Sequence, residues 1–260
     1  MEMSTQLKNF IEQNTSLLEK EDWSALYEKL YVQTNNLPAA TELTECLYRA
    51  DIDPLVGIDA VPDYFLAGSK LFYRFTVPEG IRIIGKNAFA DSSITTIILP
   101  EGLTGIGKEA FGGASFTQID LPKSCKGLGI DAFMNSKLQS IDLSHVSRIG
   151  EGCFQDCPEL ETVILGPQLQ VIQDYSFSGC IKLNKLVLPV NIKEVTSWAF
   201  EHSNIKELII ENPTITLDEG VFSKVSIRHL EFKGTMDQWK ALKVDPEPLS
   251  GVQCLDGMLI

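Results

Sequence analysis

Seven phenylalanines, Phe89, Phe111, Phe133, Phe154, Phe177, Phe200 and Phe222, recur at steps of 22, 22, 21, 23, 23 and 22 residues. A period in the low twenties is too short for two helices per unit and fits one strand plus one turn or short helix. Such a unit cannot bury its apolar side alone, so each must stack on its neighbours as a solenoid. A second ladder runs in step with the first: Val77, Leu99, Leu121, Leu143, Leu165, Leu188, Ile210 and Phe232. Two ladders in register exclude coincidence.

From Phe75 to about Lys233 each unit can be written as Ile-Gly-x-x-Ala-Phe-x-x-Ser/Cys, a spacer, an apolar anchor, and then a segment ending Ile-x-Leu-Pro. In Thr96-Ile97-Ile98-Leu99-Pro100 and Gln118-Ile119-Asp120-Leu121-Pro122, core residues alternate with outward ones, as a strand requires, and Pro then ends the strand. The inner row is Phe75, Ile97, Ile119, Ile141, Val163, Leu186, Leu208 and Leu230. The Phe of each Ala-Phe pair fills the space between strand and returning turn, where neighbouring rings can stack. Residues 54–74 imitate the pattern around Phe65 and predict a degenerate first unit.

The first 53 residues differ. Leu7, Phe10, Ile11, Leu17 and Leu18 recur at helical spacing, and Trp23, Leu26, Tyr27, Leu30 and Tyr31 do so again with Asp22 as N-cap. A third helix is expected after Pro38, with Leu43, Leu47 and Ala50 on one face, ending before Asp53-Pro54. Residues 1–53 would be a helical cap over the open end of the solenoid or a separate attachment module. Residues 54–233 would be the solenoid and 234–260 a closing segment.

A 44% hydrophobic content suits a sizeable core, and no run approaches the roughly 20 apolar residues of a membrane span. The formal net charge of −13 opposes binding to nucleic acid or anionic lipid, which repel an acidic protein. The opening MEMSTQLKNFIEQNTSLLEK lacks the basic start and apolar run of an export leader. A cytoplasmic or assembly-associated protein is therefore expected, or a surface or secreted one whose leader has been removed. Six cysteines are too sparse for a disulfide scaffold in a chain of this length.

Ile84-Gly85-Lys86-Asn87-Ala88-Phe89 and Ile106-Gly107-Lys108-Glu109-Ala110-Phe111 resemble the repeat unit of the BspA-like leucine-rich repeat proteins. The segments Leu128 to Phe133 and Ile149 to Phe154 follow with small departures, and the resemblance extends over about residues 61–260. Phe232-Lys233-Gly234-Thr235-Met236-Asp237-Gln238-Trp239, followed by Val252 to Gly257, looks like the closing helix and last strand of that family. The resemblance implies a leucine-rich-repeat solenoid of short parallel strands, with turns or short helices between them. It also implies a bacterial or protist surface or secreted protein that contacts host proteins or other cells.

Several constellations imitate chemistry. Gly102 to Glu109 and Gly80 to Asn87 match the G-x-x-x-x-G-K part of a phosphate-binding loop, but neither has the following Ser or Thr, and they lie one repeat apart. Cys157 and Cys180 fill the slot three residues after Phe, held elsewhere by Ser92, Ala114, Ser136 and Ser203. A buried small residue explains them better than zinc or a crosslink between adjacent turns. Asp120 and Asp142 share an outward strand position on adjacent repeats, which would set them about 5 Å apart if the strands pair. That spacing suits a retaining glycosidase or a calcium site, yet a solvated acidic face outweighs both. No catalytic residue, cofactor or metal ligand is assigned, and the chain is expected not to be an enzyme.

One outward row reads Ile98, Asp120, Asp142, Ile164, Val187, Ile209 and Glu231. Ile164, Val187 and Ile209 are consecutive, and exposed branched apolar residues side by side mark partner binding. The parallel row supplies Thr162, Lys185 and Glu207 as a polar rim. The expected partner is a protein of unknown identity met on the sheet face, as in adhesion. The alternative is a structural subunit of a phage particle or bacterial surface complex, docked through the N-terminal helices. A glycan partner is the weakest expectation, because exposed aromatics on that face are scarce.

Overall fold

The computed structural model describes residues 4–34, 37–225, 227–244 and 251–259. Within these, the side chains of residues 24, 31–34, 37, 38, 258 and 259 are not described, so the face of Tyr31 lies outside the described residues. The chain opens with α1 (Thr5–Gln13), α2 (Thr15–Leu18), α3 (Trp23–Thr34) and α4 (Leu37–Arg49). The solenoid follows as β1 (Ala60–Val61), β2 (Arg74–Thr76), β3 (Ile83–Ile84), β4 (Thr96–Ile98), β5 (Gly105–Ile106), β6 (Gly127–Leu128), β7 (Ser140–Leu143) and β8 (Arg148–Ile149). It continues with β9 (Thr162–Leu165), β10 (Val171–Ile172), β11 (Lys185–Leu188), β12 (Glu194–Val195), β13 (Glu207–Ile210), β14 (Thr216–Leu217) and β15 (His229–Phe232). The chain closes with α5 (Met236–Ala241), β16 (Val252–Cys254) and β17 (Gly257–Leu259).

Each full coil contributes two strands rather than one, except the coil of residues 118–121, which contributes only β6. The Leu-Pro segments build a long-strand face (β2–β4, β7–β9 and β11–β13–β15–β16–β17). The Ile-Gly segments, expected to be turn, build a second, short-strand face (β1–β3–β5–β6–β8 and β10–β12–β14). All pairings are parallel except β16 with β17, so the closing segment holds a hairpin where a single strand was expected. The column Gly85, Gly107, Gly129 and Gly150 follows from this second ladder. A Cβ on Gly129 would stand 2.6 Å from the backbone of Gly107, and one on Gly150 would stand 2.4 Å from the amide of Ile130. Only glycine lets the coils approach so closely.

Between the faces the phenylalanines form a continuous stack. Phe89, Phe111, Phe133, Phe154 and Phe177 follow one another at 5.4–5.5 Å between ring centroids. Phe200 and Phe222 continue the stack at 6.2 and 6.3 Å. The rings lie within 23° of parallel, and all seven are buried. The flanking turn uses a left-handed residue in every coil, among them Asn87, Glu109, Asp131, Tyr175 and Trp198.

The expected strand at 118–121 is absent from the ladder. Among the described residues no backbone hydrogen bond donated by 118–121 reaches either neighbouring coil. The local peculiarity of that coil is its anchor, Phe116, larger than Ile94 or Leu138 at the same position and set edge-on to Phe111 at 5.5 Å. Small hollows of about 140 and 240 Å³ flank the segment.

The helical segment also departs in detail from the periodicity. Asn14 has φ −125°, and its amide side chain donates to the Phe10 carbonyl at 2.9 Å, which ends α1 and leaves Leu17 and Leu18 on the separate α2. Asp22 caps α3 by accepting from the Ala25 amide at 3.2 Å. The third helix starts at Leu37, placing Pro38 in its first turn. Its end is a Schellman motif: Asp51 is left-handed, and the Ile52 amide donates to the Leu47 carbonyl at 3.0 Å. Ala50 therefore falls beyond the helix and is exposed, unlike Leu43 and Leu47. The side of α4 that carries Thr41, Glu45 and Tyr48 lies on the degenerate coil. Tyr48 meets Phe65 edge-on at 6.2 Å, and the Thr41 hydroxyl donates to the Ala67 carbonyl at 2.8 Å.

Candidate functional site

Strand alternation puts Ile164, Val187 and Ile209 outward on the long-strand face. Val187 and Ile209 are in-register partners across β11 and β13, both partly buried, while Ile164 on β9 is 50% exposed. β9 lies beside β11 without joining it in a ladder, so the three residues straddle a break between two sheets. Of the rim residues, Lys185 and Glu207 are brought together: they face each other across the same strand pair, and the Nζ meets the carboxylate at 2.6 Å. Thr162 pairs with Ser140 instead, on the far side of the break.

With 118–121 outside the ladder, Asp120 and Asp142 are not partners across paired strands, and both line the 240 Å³ hollow. Asp142 turns to its own strand end and accepts from the amide of Ser144 at 2.8 Å and from its hydroxyl. These bonds hold its carboxyl below the usual aspartate range. Among the described residues no group of three or more His, Cys, Asp or Glu could hold a metal ion. The two phosphate-loop look-alikes run from a turn into β3 and β5, and neither is followed by a helix whose N-terminus could receive a phosphate.

All six cysteines are free thiols. Cys157 and Cys180 donate to the carbonyls of Phe133 and Phe154, one coil back, at 3.1 and 3.2 Å. The small-residue slot thus satisfies the backbone beside the stacked rings. Burial is the main reason the Cys157 thiol is pushed up to about 11, and it acts on Cys180 in the same direction. Native protein treated with a thiol reagent at about pH 8 is therefore expected to lose Cys46, the one partly exposed thiol, first. The other five should react only after unfolding. Rapid loss of more than one thiol from folded protein would contradict this packing.

Periodicity alone missed the short-strand face. It carries Ile83 and Ile130, each 43% exposed, and beside it Trp198, 40% exposed. The Trp198 ring stacks on Tyr175 at 5.5 Å and covers Gly220 on its other side, where a Cβ would stand 2.7 Å from Nε1. The signal was present in the row Tyr64, Asn87, Glu109, Asp131, Gly152, Tyr175, Trp198 and Gly220. A further hollow of about 1000 Å³ at the C-terminal end is lined by Trp198, Phe222, Lys224 and Leu242.

No curated protein matches the chain. Among solved structures, a leucine-rich repeat protein from Bacteroides ovatus superposes with a TM-score of 0.62 at 24% identity, over 68% of this chain and 48% of that one. A leucine-rich repeat protein from Eubacterium ventriosum does so with a TM-score of 0.52 at 18% identity, over 68% and 52%. The chain thus spans about half the length of these proteins, and the likeness is one of fold. That fold typically carries binding rather than catalysis, and no helix among the described residues is long and apolar enough to cross a membrane. The BspA type leucine rich repeat region matches in six copies over residues 59–168 and 147–241, most of the solenoid. On that match, supported by the two-strand coil and the phenylalanine stack, the chain belongs to the BspA type leucine-rich repeat family.

Proposed function

We propose that this protein is a non-enzymatic, adhesion-type binding solenoid whose long-strand face meets a protein partner. Ile164, Val187 and Ile209 would form the apolar centre of the contact, with Thr162, Lys185 and Glu207 as its rim. The observation that carries this reading is the in-register pairing of Val187 with Ile209 beside a half-exposed Ile164. A rim in which Lys185 already neutralises Glu207 adds little desolvation cost on docking. Residues 1–53 serve the solenoid as a cap. In support, Leu7, Phe10, Trp23, Leu26 and Leu30 are buried in the same continuous core as the coils, so these side chains offer no free apolar face for docking into an assembly.

The test is the double variant Val187→Asp, Ile209→Asp. Burying a branched side chain is worth roughly 1.5–3 kcal/mol, so capture of the native partner by the immobilised full chain should fall by about a hundredfold or more. Both positions face outward, and the melting temperature should move by only about 2–4 °C. Undiminished capture by a folded variant would sink the sheet-face assignment.

A further inference from the structure

Two residues before each phenylalanine of the stack the backbone is left-handed. Asn87, Glu109, Asp131, Gly152 and Gly220 hold that place without an aromatic ring, but on two consecutive coils it falls to Tyr175 (φ 56°) and Trp198 (φ 55°). A bulky aromatic residue at positive φ is an outlier, and strain of this kind gathers at ligand clamps and other functional sites. The coil itself does not demand it, since Asn or Gly closes its neighbours. Tyr64, the remaining aromatic residue of the row, has the Lys86 ammonium over its ring at 5.5 Å. After Trp198 the place of Lys86 is taken by Glu219 and that of Asn87 by Gly220. The atoms of Trp198 nearest a Cβ on Gly220 all belong to the five-membered ring, and Gly220 has no side chain to extend over the six-membered one.

Trp198 opens onto the C-terminal hollow, whose volume of about 1000 Å³ is large enough for a small ligand. The turn at 221–225 is the last of its column, and Leu242, Lys243 and Val244, just after α5, complete the wall. The charged groups of the lining are Asp218 and Glu219 against Lys224 and Lys243, two of each sign, so it carries no charge surplus. Lys224 is held by Glu201 at 2.9 Å. Among the described residues Asp218, Glu219 and Lys243 stand in no ion pair. Free acceptors and a free donor therefore surround an exposed aromatic ring.

We propose that this hollow is a second binding site, for a neutral saccharide, with the Trp198 ring as its platform. A pyranose has a face of C–H groups that packs on an aromatic ring and a rim of hydroxyls that both donate and accept. Asp218 and Glu219 accept from those hydroxyls in charge-assisted bonds, and Lys243 donates to them. An anionic ligand would face two unpaired carboxylates and an ammonium ligand would face Lys243, whereas a neutral one meets neither repulsion. The site ends the turn column and is not part of the long-strand face, so its test is independent of protein docking there.

The experiment is an array of neutral, acidic and amine-bearing oligosaccharides probed with the fluorescently labelled full chain. Wild type should be retained by neutral members. Titration with the same free oligosaccharide should change the tryptophan fluorescence, because Trp198 is exposed while Trp23 and Trp239 are buried. Trp198→Asn should weaken retention about tenfold or more. It should not lower the melting temperature, since Asn87 already holds the equivalent left-handed place. Trp198→Tyr, which keeps a ring, should retain most of the binding. Asp218→Asn, Glu219→Gln leaves the platform intact and should weaken binding about tenfold through the lost charge-assisted bonds. Silence on every neutral glycan, retention confined to acidic or amine-bearing ones, or undiminished retention by Trp198→Asn would each overturn the proposal.

Discussion

Phe154→Ala is expected to lower stability by about 3–5 kcal/mol, the cost of emptying a ring-sized space in a packed core. Phe154 has a parallel ring on each side at 5.5 Å, from Phe133 and Phe177, each tilted by only 7°. Truncation loses both contacts as well as the buried area, and an aromatic pair adds about 0.5–1.5 kcal/mol beyond that area. The Phe154 carbonyl accepts from the Cys180 thiol, so a collapse there would also disturb the next coil. Phe222→Ala supplies the internal control. Its one stacked neighbour in the ladder is Phe200, at 6.3 Å, so its loss should fall near the lower end of that range. Urea unfolding of both variants against wild type measures the difference. Equal losses would mean that the stack contributes nothing beyond area. Because coils interact chiefly with nearest neighbours, the Phe154 variant should also broaden the transition as the solenoid begins to melt from its middle.

Gly150→Ala should be nearly as damaging, for a different reason. A Cβ at this position would stand 2.4 Å from the Ile130 amide nitrogen and 2.5 Å from the Gly129 carbonyl carbon, both backbone atoms that cannot rotate aside. The coils would have to separate locally, breaking the bond from the Gly150 amide to the Leu128 carbonyl at 2.9 Å. Overpacking of this kind costs about 1–3 kcal/mol, and a lost buried hydrogen bond adds about 1–3 kcal/mol. Gly127→Ala, one coil earlier on the same face, should be neutral or stabilising by up to about 1 kcal/mol, since its Cβ has room and the unfolded chain loses freedom. Thermal melts of the two variants should therefore move in opposite directions. A shared sign would show that the glycine column does not set the coil spacing.

The contrast between these glycines marks what could be read from sequence. Gly127 and Gly129 both belong to Ile-Gly-type segments, yet only the coordinates distinguish the one pressed on the preceding backbone from the one facing open space. The outward row of Ile164, Val187 and Ile209 was legible because strand alternation dictates direction. Their unequal exposure and the break between β9 and β11 were not, because both depend on how neighbouring coils stack. Asp120 and Asp142 show the same limit: equal spacing promised paired strands, whereas 118–121 stands outside the ladder and both residues line a hollow there. The residues on the short-strand face were hidden because a two-residue strand carries almost no periodic signal of its own.

Sequence by itself determined the number of coils, the identity of the core and the family, because burial of one apolar set per turn imposes a period that no other arrangement would retain. It also dictated that the cysteine slot be small and that the first unit be incomplete. Only the tertiary structure decided that a coil carries a second, short strand, that the long-strand ladder is interrupted at 118–121, and which glycines press on the preceding coil. These are relations between coils rather than within them. Hydrogen bonds and charges about 22 residues apart meet only after the chain has wound, and their distances are set by the accumulated stacking of whole turns.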